Sequence, residues 1–237
     1  RKGTGRDRTT PPRQRALAHH RGAAAAGPGR PPRRFARAQV AAKGTRVFAD
    51  VGWDDTGAWD LAGLPDLKHC EAFLPNAAEA MRYTGADCPR QAARALTAYV
   101  PVAVVTLGAD GAYAVDRRTG ETAEVPAIAV EALDPTGAGD VFVAGFVAGS
   151  LAGWPLADRL AFAGLTAALS VQEFGGSLSA PGWAEIAAWW RRVQSVPGQD
   201  RAALRRYAFL AGLLPEAEVE PWPRRRAVPT IGFGGSA

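Results

Sequence analysis

A glycine-rich turn, Asp134-Pro-Thr-Gly-Ala-Gly-Asp140, runs without a break into the apolar stretch VFVAGFVAGSLAG. A helix that is apolar on every side has no face to give to water, so the fold must surround it with other layers. The run from Val141 to Trp154 has 14 residues between Asp140 and Pro155, short of the roughly 20 that a membrane-spanning helix requires. It reads as a buried helix of a soluble domain. Gly137, Ala138 and Gly139 put small residues at its amino end, where unpaired N–H groups and the helix dipole favour an anion such as phosphate. Asp140, in the first turn, stabilises the helix in its own right. It is also a residue type that can accept a hydroxyl proton beside an anion site, the combination phosphoryl transfer requires.

The rest of the chain changes texture near residue 46. Residues 1–46 carry 13 Lys and Arg against the single acid Asp7, a net +12, while residues 47–237 carry 15 against 22, a net −7. The formal charge of +5 therefore misdescribes the domain, which is acidic. Leu17, Phe35 and Val40 are nearly the only large apolar residues of 1–46, and the segment reads as a disordered, basic, low-complexity tail. Its alternative reading is a nucleic-acid-binding tail; nucleic acid is not the expected partner.

From Val47, short apolar segments at 47–51, 71–74, 101–106, 111–116 and 122–128 read as strands. Helical periodicity appears at 77–84, 90–99, 138–152, 156–173 and 182–194, and more weakly at 201–212. This alternation predicts a layered α/β domain over 47–212, with 213–237 returning to tail composition. Cys70 and Cys88 form no C-x-x-C pair or Cys/His cluster, so neither a zinc site nor a disulfide framework is expected and a cytoplasmic setting fits best. Arg33-Arg34 is followed by FARAQVAAKGTR, which has no apolar segment, so no export signal is expected.

Two further motifs precede the turn. Asn76-Ala-Ala-Glu79 follows a strand and has the spacing of a helix capping box. Thr106-Leu-Gly108-Ala-Asp-Gly111 lies between two strands and reads as a glycine hairpin turn.

Together, DPTGAGDVFVAGFV, the N-x-x-E of Asn76 and Glu79, and the T-x-G-x-x-G from Thr106 to Gly111 resemble the ribokinase-like (PfkB) carbohydrate kinase family. The resemblance implies a central, mostly parallel sheet flanked by helices and an ATP-dependent transfer of phosphate to an alcohol of a sugar, nucleoside or related molecule. It implies Asp140 as catalytic base, Gly137, Ala138 and Gly139 as anion hole, and Thr106, Gly108 and Gly111 along the nucleotide phosphates. Asn76 and Glu79 would help hold Mg2+ through water. Ala163, Gly164 and Ala167 would admit the adenine ring, although the Asn that many members carry near Gly164 is not present. Asp134, Thr136 and Ser179 align loosely with a monovalent-cation site, for K+, found in some members. Asp50 corresponds to a family Asp that is followed by Asn and Arg before a Trp; here Gly52 and Asp54 stand in those places, with Trp59 expected to pack.

The resemblance covers roughly Val47 to Glu185, the later part of a family member's chain. The family's earlier part, with the acceptor motif, further strands and the lid, has no counterpart in residues 1–46, so the expected fold is incomplete. Three functions follow: a sugar or nucleoside kinase, a catalytically silent nucleotide-binding fragment of the same family, and a nucleic-acid binder acting through the basic tail. The expected protein crosses no membrane, and a homodimer is compatible with the reading.

Overall fold

The structure is a computed structural model that describes residues 16–19, 41–52, 54, 57, 59, 61–195 and 201–214. Among the described residues, six strands form one sheet in sequence order: β1 (Ala16–His19), β2 (Arg46–Ala49), β3 (Ala72–Phe73), β4 (Val102–Thr106), β5 (Ala112–Asp116) and β6 (Glu121–Val125). The pairings from β1 to β4 are parallel and those from β4 to β6 antiparallel. This is the mostly parallel, helix-flanked sheet expected from the sequence. Alternation along the strands divides the core. Val47, Ala49, Phe73, Ala103, Val105 and Tyr113 face a cluster with Leu64, Leu67 and two helices, α1 (Ala77–Thr84) and α2 (Pro89–Leu96). The buried Phe48, Val102 and Val104 alternate with these and belong to the other face. On that side α4 (Leu156–Ser170) lies against β5 and β6, and α3 (Ala138–Leu151) lies against β1.

Helix α3 is the apolar run that follows the glycine turn; its large side chains Val141, Phe142, Val143 and Phe146 are buried, whereas Ala144 and Ala148 are exposed, so the burial on every side expected from the sequence is not complete. Gly145 explains how closely it meets α4: a Cβ there would stand 2.5 Å from Thr166 Oγ1 and 2.9 Å from Ala163 Cα. At the far end of α3, Arg46 donates to the carbonyl of Ser150 at 2.7 Å and to Glu71 Oε1 at 3.1 Å. Arg118 joins the same Glu71 to Asp116. Burial would raise the Asp116 carboxyl, but the hydrogen bonds and charge of Arg118 overcome it and hold the group below its ordinary value.

The sequence reading is corrected in several places. The strand at Ala16–His19 and the start of β2 at Arg46 lie inside the segment read as a tail; residues 1–15 and 20–40 lie outside the described residues, as do 215–237 of the expected carboxy-terminal tail. Strand β6 ends at Val125 and does not reach residue 128, because Pro126 has no N–H to give to a ladder. A 3-10 helix over Leu61–His69, with Pro65 inside it, has no counterpart in the periodicity reading. The described residues up to Ala180 form one compact unit and those from Pro181 onward a second. The second unit contains α5 (Trp183–Ser195), α6 (Arg201–Arg206) and a 3-10 turn at Ala208–Gly212. Within it, Trp189 meets Tyr207 edge to face at 4.9 Å between ring centroids, and burial pushes the Tyr207 hydroxyl up to about 12.

Candidate active site at the carboxyl ends of the parallel strands

The sequence motifs converge at the end of the sheet where the parallel strands finish, the position at which open α/β sheets bind ligands. Asn76 forms a parallel bridge with Thr106, and the Thr106 amide donates to Pro75 O at 3.2 Å. Two separate motifs of the sequence thus become neighbours. Asn76 Oδ1 accepts from the Glu79 amide and Glu79 Oε2 accepts from the Asn76 amide, both at 2.9 Å. The capping box is therefore formed, with Glu79 buried and Asn76 exposed. Asn76→Ala should cost about 1 kcal/mol of stability, read by urea denaturation, because the α1 cap is lost.

Thr106 and Gly108 lead into a 3-10 turn that closes with the Leu107 amide donating to Gly111 O at 2.8 Å. Gly108 and Gly111 both have positive φ, +61° and +106°. They differ in surroundings: Gly108 faces open space, whereas a Cβ on Gly111 would stand 2.0 Å from Val125 O.

Gly137 is the N-cap of α3, with φ +74° and no side-chain cap. A Cβ on it would lie 2.5 Å from Ser177 N, so the turn is pressed against the loop after α4. Asp134 ties the two together, accepting from the Thr136 amide at 3.0 Å and the Gly175 amide at 3.4 Å. Hydrogen bonds from the side chain and amide of Thr136, and from Gly175, hold the Asp134 carboxyl below its usual range. Ser179 Oγ lies 2.6 Å from Gly176 O and 2.9 Å from Ser170 O, so the three residues suggested for a monovalent cation occupy these two adjoining loops. The Ala138 amide bonds back to Pro135 O at 3.2 Å. Asp140 follows in the first helical turn, partly exposed.

Beside this turn lies a cavity of about 530 Å³, within the size range of small-molecule sites. Thr106, Gly108 and Gly111 line it from one motif, Ala138 and Gly139 from the next, and Gly164 and Ala167 from α4. Positions 139 and 164 are open: a Cβ on either would meet nothing within 4 Å. Ala163 is different, being fully buried at the contact with Gly145 and not part of the lining. Gly137, Asp140, Asn76 and Glu79 are not among its lining residues, although Ala138, Gly139 and Thr106 of the same motifs or bridged to them are. The sequence reading missed the segment after β6, where Pro126, Ile128 and Val130 form wall. Pro126 was the available signal, since it forces the chain out of the sheet. Asp50 and Trp59 take local roles: Asp50 Oδ1 accepts from the Val51 amide, and Trp59 packs edge-on to Tyr83 at 5.3 Å.

The sequence pattern of the pfkB family carbohydrate kinases matches residues 18–183. This chain belongs to the pfkB family. A ribokinase of Schizosaccharomyces pombe is 36% identical over 129 residues, covering 51% of this chain and 40% of the relative. Among solved structures, Arabidopsis thaliana ribokinase with ribose and ATP superposes with a TM-score of 0.52 at 29% identity, covering 62% of this chain and 49% of that one. An E. coli protein described as ribokinase II, with ATP and Mg2+, gives a TM-score of 0.58 at 24% identity, covering 66% and 52%. The pfkB chain described above thus spans 40% of this curated relative and about half of these solved chains. Its match begins at residue 18, inside the segment whose composition reads as a tail.

Proposed function

We propose that this chain binds ATP in the cavity beside α3 and supports transfer of the γ-phosphate to a hydroxyl of a sugar or nucleoside. The observation that carries the reading is the α3 amino terminus. A glycine N-cap in left-handed conformation, without a side-chain cap, opens an apolar helix beside a cavity whose lining is small at Gly139 and Gly164. The amides of Gly137 and Gly139 are the donors suited to phosphate oxygens, and Asp140 is the base that takes the hydroxyl proton.

Magnesium, present with ATP in the E. coli structure, fits the residues at hand in one particular way. No three His, Cys, Asp or Glu side chains converge among the described residues. Such a site suits Mg2+, which binds with few protein carboxylates, several waters and the nucleotide phosphates. Asn76 and Glu79 would act through water, since both take part in the cap. When bound, the ion neutralises charge on the transferring phosphate. Asn76→Ser separates the two roles: it should keep the cap and hence stability, yet weaken magnesium-dependent nucleotide binding. Asp134, Thr136 and Ser179 would place K+ between their two loops, and exchange of K+ for choline is expected to weaken ATP binding.

The test is Mg2+- and ATP-dependent ADP release by the whole chain across ribose, other sugars and nucleosides. Release that requires one acceptor supports the reading and identifies the acceptor class. A second reading, nucleotide binding without turnover, rests on Asp140, which is not among the residues lining the cavity. ATP binding with no release for any acceptor would select it.

A further inference from the structure

The side chains around the cavity are apolar: Val125, Pro126 and Ile128 from the end of β6, Phe142 from α3, and Leu160 and Val171 from α4 and its end. Among the described lining residues Thr106 alone carries a polar side chain, and it sits in the strand end bridged to Asn76. Much of the backbone on the α4 side is already engaged. Val171 O accepts from the amides of Leu133 and Asp134 at 2.7 and 3.1 Å, and Ala167 O accepts from the Val171 amide at 3.2 Å and the Ser170 hydroxyl at 2.8 Å. The neighbouring amide side chain, Gln172, donates to Ala168 O at 2.9 Å.

Resting on the ATP reading above, we infer that this site selects its phosphoryl donor by the shape of a purine and not by its hydrogen-bonding edge, so that GTP and ITP serve alongside ATP. Adenine, guanine and hypoxanthine differ at C6, where an amino donor is exchanged for a carbonyl acceptor, and at C2. Apolar walls meet the same flat ring in each case, and the open space at Gly164 leaves room for a substituent. A site built to hydrogen-bond one edge discriminates by about 10⁴-fold or more, whereas an apolar pocket distinguishes isosteres by at most about 100-fold.

The experiment is displacement of a fluorescent, ribose-modified ATP analogue from the whole chain in Mg2+ by ATP, GTP and ITP, for the natural sequence and for Gly164→Val. Dissociation constants within about 100-fold of one another, all weakened together by Gly164→Val, are the expected result. ATP bound more than about 100-fold tighter than both GTP and ITP overturns the inference while leaving the ATP reading intact. No binding of the analogue, or binding that Gly164→Val leaves unchanged, overturns the ATP reading at this cavity and the inference with it.

Discussion

Asp140→Asn is expected to lower acceptor-dependent ADP release by about 10²- to 10⁴-fold, the range by which a positioned general base accelerates proton transfer. That corresponds to about 3 to 5 kcal/mol of barrier. The amide keeps the shape of the carboxylate but cannot accept the hydroxyl proton as a base. Asp140 also sits in the first turn of α3, where a carboxylate stabilises a helix. That contribution is worth only about 0.3–1 kcal/mol, so the variant should remain folded. Nucleotide affinity should change little, because the suggested phosphate donors are backbone amides of Gly137 and Gly139. The informative result is therefore a split: ADP release lost, ATP binding retained, thermal unfolding nearly unshifted. Equal release by both proteins would remove Asp140 from the chemistry and leave it as a helix-stabilising acid.

Much of this geometry was legible because each motif carries its own local physics. A glycine turn followed by an apolar run has few ways to fold, and α3 begins at Ala138 as its sequence implies. The Asn76–Glu79 spacing reads as a capping box and forms one, which shows why a short motif is ambiguous: the same two residues satisfy the helix whether or not an ion approaches. What periodicity could not reach were features defined by distant partners. The strand Ala16–His19 lies in a segment whose composition is that of a tail, and its place in the sheet depends on β2, which begins 27 residues further on. Ala163 has the small size of a ring-contact residue, but it is small because Gly145 of another helix packs onto it. Pro126 and Ile128 fall within the segment 122–128 that reads as a strand in sequence; the strand ends before the proline, and both residues become lining for a cavity together with Val130.

The two glycines of the Thr106 motif provide the sharpest separation between architecture and ligand contact. Sequence treats Gly108 and Gly111 alike, and both line the cavity. Gly111→Ala should lower stability by at least about 3 kcal/mol, combining left-handed backbone strain with overpacking. Its new Cβ would stand 2.0 Å from Val125 O and 2.7 Å from both Ala127 N and Pro126 Cα. Each of these is a backbone atom, so no side-chain rotation relieves the clash. The pairing of Ala112 with Val125 would have to move, carrying the cavity wall at Pro126 with it. Gly108→Ala meets nothing within 4 Å and has only its φ of +61° to oppose it, a cost of about 1–2 kcal/mol for a residue with a Cβ. Urea unfolding of the two variants should therefore place Gly111→Ala well below Gly108→Ala, with ATP affinity of the former falling as the wall shifts. Equal destabilisation would mean that β6 yields freely at Val125, and the need for glycine at 111 would then have to come from the phosphates themselves.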